Sequence, residues 1–137
     1  MRAVRSKDTG PELALRRALH AIGIRYRVHA KDVLGNPDIA VRSKKLAVFV
    51  DGDFWHGNPD EWKRRGRNSL AELFPSRTDW WVAKIEGNVM RDRRVTSELT
   101  ASWWRVVRIW ESEIREDLPA CVERVAVALG ETHGARA

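Results

Sequence analysis

Apolar positions first recur at helical spacing in Leu15, Ala18, Leu19 and Ile22, directly after Thr9-Gly10-Pro11-Glu12. A hydroxyl followed three residues on by a glutamate, with proline near the helix start, is a capping-box pattern, so a helix is predicted here and Gly23 is placed to end it. Tyr26 and Val28 then alternate with Arg25, Arg27 and His29, which predicts a short, half-exposed strand before a loop from Asp32 to Pro37 marked by Gly35-Asn36-Pro37. Two further strands, 38–41 and 46–50, flank the polar turn Arg42-Ser43-Lys44-Lys45. So short a connection makes them antiparallel neighbours and sets Asp38 opposite Phe49 or Val50.

From Gly57 to Arg77 the pattern is polar and irregular, with the basic run Lys63-Arg64-Arg65-Gly66-Arg67 followed by Leu70, Leu73 and Phe74. A loop with room for one short helix is expected. A long helix is predicted over 77–100, because Ile85, Val95 and Leu99 share a face that also holds Asn88 and Asp92. Residues 104–110 alternate as a central strand would, a last helix covers 118–129, and 130–137 read as a frayed tail. No internal repeat interrupts this order. Helix, strands, helix, strand, helix predicts an α/β fold, a mixed sheet flanked by helices, in a single domain spanning 1–137.

Composition narrows the partner. In 137 residues, 25 Lys+Arg stand against 19 Asp+Glu for a net charge of +6, which favours a polyanion. No run of about 18 apolar residues occurs and the first ten residues lack an apolar signal core, so a soluble cytoplasmic protein with no membrane partner is expected. The single cysteine, Cys121, sits in an apolar helical pattern. One chain therefore builds neither a disulfide framework nor a cysteine-rich zinc site. Of the seven tryptophans, five fall in the clusters Phe54-Trp55, Trp80-Trp81 and Trp103-Trp104, as core residues or as wedges for DNA.

Phosphodiester hydrolysis needs a metal to stabilise charge on the phosphate and a base to activate water. Asp38 enters its strand after Pro37, facing backbone across the hairpin, and reads equally as a ligand for a hard cation or as a turn cap. His56 closes the segment Asp51-Gly52-Asp53-Phe54-Trp55-His56 and has a near-neutral reference pKa, suiting it to a base role beside the structural one. Glu12 is a capping residue or a partner of His56. Asn88 and Asp92, four apart on one helix face, could bond a phosphate, a metal-bound water or His56. Phe54, Trp55 and Trp81 are candidates for insertion between base pairs or for the core. Lys63, Arg64, Arg65 and Arg67 are candidates for phosphate contacts or a solvated loop.

Taken in order, Lys7-Asp8-Thr9-Gly10-Pro11-Glu12, Gly35-Asn36-Pro37-Asp38, the segment from Val48 to Gly57, Asn88-Val89-Met90-Arg91-Asp92-Arg93-Arg94 and Trp104 to Glu111 resemble the very short patch repair (Vsr) endonucleases over nearly the whole chain. The resemblance implies a restriction-endonuclease-like fold, in which the usual Glu-x-Lys part of the site is replaced. It also implies nicking of one strand of double-stranded DNA beside a T:G mismatch, in DNA repair on the nucleoid. By the same resemblance, Mg²⁺, with Mn²⁺ as a substitute, is held by Asp38 and the Val50 carbonyl. His56 activates water with Glu12 behind it, Asp92 belongs to the site, and Phe54, Trp55 and Trp81 enter the duplex. Two departures stand out. The family's structural zinc ligands are matched here by Asp53, Asn58, Asp60 and Ser112, which argues against thiolate zinc binding and leaves the long 57–77 segment either to replace the metal by packing Leu70, Leu73 and Phe74 or to read a different DNA feature. Asp51 stands where some members carry a second histidine and could orient His56 or bind a second ion. Other readings are a nuclease of this fold acting on another lesion or in defence, and a DNA-binding module with a decayed site. Recruiting repair proteins are not legible in the sequence.

Overall fold

The run Leu46-Ala47-Val48-Phe49-Val50-Asp51 is buried at every position, as a strand covered on both faces must be. In the computed structural model, which describes residues 8–130, it is the third of four strands in one sheet. These are β1 (Arg27–Val28), β2 (Ile39–Val41), β3 (Leu46–Asp51) and β4 (Arg105–Trp110), in spatial order β1-β2-β3-β4. The first two pairings are antiparallel, while β3 and β4 run parallel, so the sheet is mixed as predicted. Ile39 pairs with Val48, and continuing that register brings Asp38 level with Phe49. The hairpin turns through a 3₁₀ turn at 42–44 and a left-handed Lys45.

Helices cover both faces. On one side lie α1 (Gly10–Ala21) and α5 (Leu118–Ala128), whose Leu15, Leu19, Cys121 and Val125 pack with Val48, Val50 and Ile109. On the other side α3 (Thr78–Ala101) brings Leu99 and Val95 against Ala47 and Phe49. Alternation along β3 therefore assigns the even positions to one layer and the odd positions to the other, and Asp51 falls on the α3 side. The N-terminus of α1 carries half of the predicted box. Thr9 accepts the Glu12 N–H, but the Glu12 carboxylate accepts from the Asp8 N–H instead of returning to the cap. Gly35, with φ +81, has Val95 Cγ1 only 2.5 Å from where a Cβ would stand, so the loop before β2 can lie against α3 only as glycine.

The structure departs from the sequence expectation in three places. Among the described residues β4 is an outer strand, not a central one, because alternation reports a two-faced environment and cannot report a missing lateral neighbour. Arg124 donates to the Arg108 carbonyl of β4. A six-residue helix, α4 (Glu111–Glu116), went unpredicted, since it buries only Ile114 and is too short to show a period. The 57–77 segment holds α2 (Pro59–Arg64), started by Asn58 as cap, and a 3₁₀ turn at Leu70–Leu73. No helix among the described residues is long and apolar enough to cross a membrane. Lys7 of the first motif and residues 131–137 of the predicted tail lie outside the described residues.

Candidate active site

The end of β3 and the turn after it build the site. Residues 52–58 fold back tightly, the His56 N–H donating to the Gly52 carbonyl at 3.1 Å and the Asn58 N–H to the Asp53 carbonyl at 3.0 Å. Gly57 takes φ +69 where this turn meets α3, and a Cβ there would stand 2.7 Å from Val89 Cγ2. Glycine is what lets the turn approach so closely. The approach delivers His56 to α3, with Nδ1 2.5 Å from Asp92 Oδ2 and 3.7 Å from Asp51 Oδ1. Burial disfavours the imidazolium, but the Asp92 hydrogen bond and the charges of Asp51 and Asp92 outweigh it, so His56 titrates above its usual value. Asp51 is itself pushed up by burial, against the pull of His56 and Arg108. A cleft of about 510 Å³ opens on this group, walled by His56, Asp92, Arg93, Ser97 and Trp110.

Arg108 is the member of the site that sequence reasoning missed. It stands level with Phe49 in the β3–β4 register, its guanidinium carbon 4.2 Å from the Phe49 ring centroid. One of its nitrogens donates to both Asp51 oxygens at 3.1 and 3.2 Å, another to the Asp92 backbone carbonyl at 3.2 Å, and Nε to Thr96 Oγ1 at 2.7 Å. The available signal was a lone charge among Val106, Val107 and Ile109, since a cation on the inward face of a strand requires a buried partner.

Asp38 sits beside this group on the neighbouring strand. Its Oδ2 accepts the Val50 N–H at 2.6 Å, and among the described residues no donor reaches Oδ1. Burial, reinforced by the carboxylates of Glu12 and Asp51, outweighs that hydrogen bond and raises Asp38 to about 6. The observed bond is to the Val50 amide, where the sequence predicted a facing carbonyl. The two are compatible, because in an antiparallel ladder a residue's N–H and C=O face the same neighbour, which turns the Val50 carbonyl toward Asp38 as well. A half-buried carboxylate crowded by negative charge, with one oxygen unused and a carbonyl alongside, is a hard-oxygen donor set that fits a divalent cation such as Mg²⁺.

Glu12 does not join His56. Its carboxylate, 3% exposed, is paired with Arg16 at 3.0 Å. Arg16 also reaches Asp8 at 2.8 Å and His29 Nε2 at 3.1 Å. Asp8, Glu12 and His29 and, separately, Asp51, His56 and Asp92 are the two groups of the described residues whose ligand atoms lie within 4.8 Å of one another. In the first, a guanidinium already occupies the middle.

The aromatic residues form one cluster. Phe74 and Trp81 stack with centroids 5.2 Å apart and an interplanar angle of 7°, Phe54 meets both edge-on, and Trp55 lies 5.8 Å from Trp81. Thus the 57–77 segment does pack onto the domain, chiefly through buried Phe74, and it covers one face of Trp81. Trp55 and Trp80 are the exposed tips at 37% and 49%. Trp80 went unassigned in the sequence and has the Arg77 guanidinium over its ring. Asn88 donates to the Trp55 carbonyl at 2.9 Å, bracing the aromatic turn from α3. In the basic run, Arg64 pairs with Asp53, Glu61 and Glu116, and Arg65 pairs with Glu61. Lys63 and Arg67 are exposed and make no ion pair among the described residues.

The four positions matching zinc ligands do come together, three of them around one carboxylate. Asp53 accepts from the Ser112 N–H at 2.9 Å, the Ser112 hydroxyl at 2.5 Å and Asn58 Nδ2 at 2.8 Å. Asp60 contributes its backbone N–H to Asn58 Oδ1 at 3.0 Å. With no sulfur or imidazole present, and with two N–H groups aimed at the central carboxylate, this donor set does not fit zinc. Burial would raise Asp53, but the bonds from Ser112 and Asn58 and the charge of Arg64 prevail and lower it.

The chain is similar to known proteins over most of its length. Residues 1–64 match the family model described as DNA mismatch endonuclease Vsr. The type II nicking enzyme V.NmeDIP of Neisseria meningitidis serogroup C is 40% identical over 98% of this chain and 86% of its own length. V.XorIIP of Xanthomonas oryzae pv. oryzae, also a type II nicking enzyme, is 44% identical over 91% of the chain and 85% of its own. The DNA mismatch endonuclease Vsr of Escherichia coli is 35% identical over 84% of the chain and 69% of its own. Likeness of this extent, joined to the mixed sheet and the acidic cluster at the end of its third strand, makes the chain an endonuclease of the Vsr family.

Proposed function

We propose that this endonuclease nicks one strand of double-stranded DNA beside a mismatched base pair, T:G by resemblance, with Mg²⁺ held by Asp38 and the Val50 carbonyl and with His56 taking the proton of the attacking water. The observation that carries the reading is the 2.5 Å contact between His56 Nδ1 and Asp92, both of which line the cleft. An Nδ1–H donated to Asp92 leaves the lone pair on Nε2, so the ring is oriented as a base and its protonated form is stabilised once it has accepted. Arg108 holds the Asp51 carboxylate and the Asp92 backbone, which keeps both carboxylates in place around the imidazole.

Bound at Asp38, the divalent ion would stabilise developing charge on the phosphate. The Asp51 group suits proton transfer better than a second ion, because the Arg108 cation already sits within 3.2 Å of both Asp51 oxygens. Trp55, with Phe54 and Trp81 behind it, serves as the wedge, since opening a mismatched step costs less than opening a paired one. Lys63 and Arg67 are free to meet phosphates, whereas Arg64 and Arg65 are already engaged. The relatives' printed names, type II nicking enzyme and DNA mismatch endonuclease, support a single-strand cut at a mismatch. Their bacterial sources are in keeping with action on cytoplasmic DNA.

End-labelled duplexes carrying T:G or T:A, incubated in Mg²⁺ with wild type or Asp38→Ala, test this directly. A nick confined to the T:G duplex and lost in Asp38→Ala is expected. Intact DNA with wild type in both Mg²⁺ and Mn²⁺ would sink the catalytic assignment, while equal cutting of both duplexes would remove the mismatch preference alone.

A further inference from the structure

We propose that Asp53 is a metal-free staple that positions the His56 turn, tying it to the start of α4 and to α2 through Ser112 and Asn58, so that the turn holds its shape without a structural zinc ion. The inference rests on the chain being a nuclease whose site includes His56.

Asp53, the carboxylate of the 52–58 turn, is not among the residues that line the cleft, and its side chain bonds instead to Ser112 and Asn58. It is 9% exposed and spends its acceptor positions on three close donors. Two of these come from Ser112, and its N–H is an amide of the first turn of α4, a group with no partner inside its own helix. The third comes from Asn58, whose backbone N–H also donates to the Asp53 carbonyl, so residues 53 and 58 are pinned to each other twice. Asn58 is in turn the cap of α2. Phe54, Trp55 and His56 all lie between the two pinned residues.

Neutralising or shortening this carboxylate leaves buried donors unpaired, and the segment that would move first is the one it closes. A small displacement of a proton acceptor is felt in turnover before it is felt in binding, since misplacement by about 1 Å can cost on the order of 100-fold. The 52–58 turn keeps its own contacts to α3 through Gly57 and Asn88, so the fold around it survives loss of the staple.

The test uses the full chain with Asp53→Asn, which removes the charge and one acceptor, and Ser112→Ala, which removes only the hydroxyl. Hydrogen exchange followed by mass spectrometry reads the turn directly, and steady-state nicking of the duplex that wild type cuts reads its consequence. Expected are faster exchange across 53–58 and at the start of α4, with β3 unchanged, and a kcat about tenfold lower for Asp53→Asn at a KM within about twofold of wild type. Ser112→Ala should give a smaller change in the same direction, and it decides the matter if Asp53→Asn fails to fold. Zinc content of the purified wild type should be far below one equivalent, with exchange and unfolding temperature unaffected by a zinc chelator. The staple is overturned by wild-type exchange in the folded variants, by wild-type kcat in both, or by stoichiometric zinc whose removal loosens the turn. Should wild type cut no duplex at all, the nuclease reading fails on its own and the exchange experiment still decides the staple.

Discussion

The two acidic groups at the ends of α1 and β3 are built from the same residue types and differ in what fills them. Asp8, Glu12 and His29 close around the Arg16 guanidinium, which pairs with Asp8 at 2.8 Å and with Glu12 at 3.0 Å. Asp51, His56 and Asp92 keep an imidazole in the middle, and their arginine, Arg108, which also lines the cleft, donates to Asp51 and makes no hydrogen bond to the imidazole among the described residues. A permanently charged guanidinium cannot give or take a proton near neutral pH, whereas an imidazole can. Two clusters that look alike as collections of ligands are thus a structural knot and a proton-handling site, and the identity of the central cation decides which.

Replacing the two histidines separates the pair most sharply. His56→Ala should lower the single-turnover rate by about 10²- to 10⁴-fold, the range for loss of a general base, with DNA affinity little changed. His29→Ala should leave the rate within about threefold. If the two variants lost activity equally, the division into knot and proton site would collapse.

The next largest effect is on stability and falls on the other cluster. Arg16→Met keeps the aliphatic stem but leaves the buried Glu12 carboxylate without its cation, and breaking one side of a buried pair costs about 3–5 kcal/mol. Arg16 is 12% and Glu12 3% exposed, so solvent cannot replace the lost partner. Urea unfolding should show a clear fall in midpoint at unchanged slope, and Arg16→Met/Glu12→Gln should recover part of it. A loss within about 0.5 kcal/mol would mean that Arg16 is not the centre of the knot.

The contrast between the clusters also marks what the sequence could disclose. Period-two alternation and a four-residue turn were enough to set Asp38 opposite Phe49 or Val50, because a hairpin register is a local matter, and the observed pairing settles on Phe49. Helical spacing placed Asp92 on an inward face and left its partner open among phosphate, water and His56; the structure supplies His56. Arg16 was legible in principle, four residues after Glu12, but the capping box and His56 were the two roles read for Glu12, and neither involves a cation on its own helix. Arg108 is different in kind. Its partners come from β3 and from α3, 57 and 16 residues away in the chain, and no local pattern announces such a contact. The zinc positions were legible only as a set of departures, and it took the fold to show that Asp53, Asn58 and Ser112 bond to one another.

Asp38 lies between the two clusters, feels Glu12 from one and Asp51 from the other, and gives the smallest but most discriminating effect. Its pKa of about 6 lies above the ordinary 3.8, so the folded protein keeps this proton over a pH range in which the unfolded chain has released it. The sign follows: without metal, this residue makes stability fall as pH rises from about 4 to 6. A divalent cation reverses the cost, because it binds the ionised carboxylate and must displace the proton below pH 6. About 10 mM Mg²⁺ acting on a site with a Kd near 1 mM would stabilise the fold by about 1.4 kcal/mol, an increase of a few degrees in Tm. That increase should be present at pH 7, shrink steeply toward pH 5, and vanish at both in Asp38→Asn, while Asp92→Asn retains it. An increase that persisted in Asp38→Asn but disappeared in Asp92→Asn would move the ion to the His56 cluster, and the open group would then be the metal site and not the proton relay.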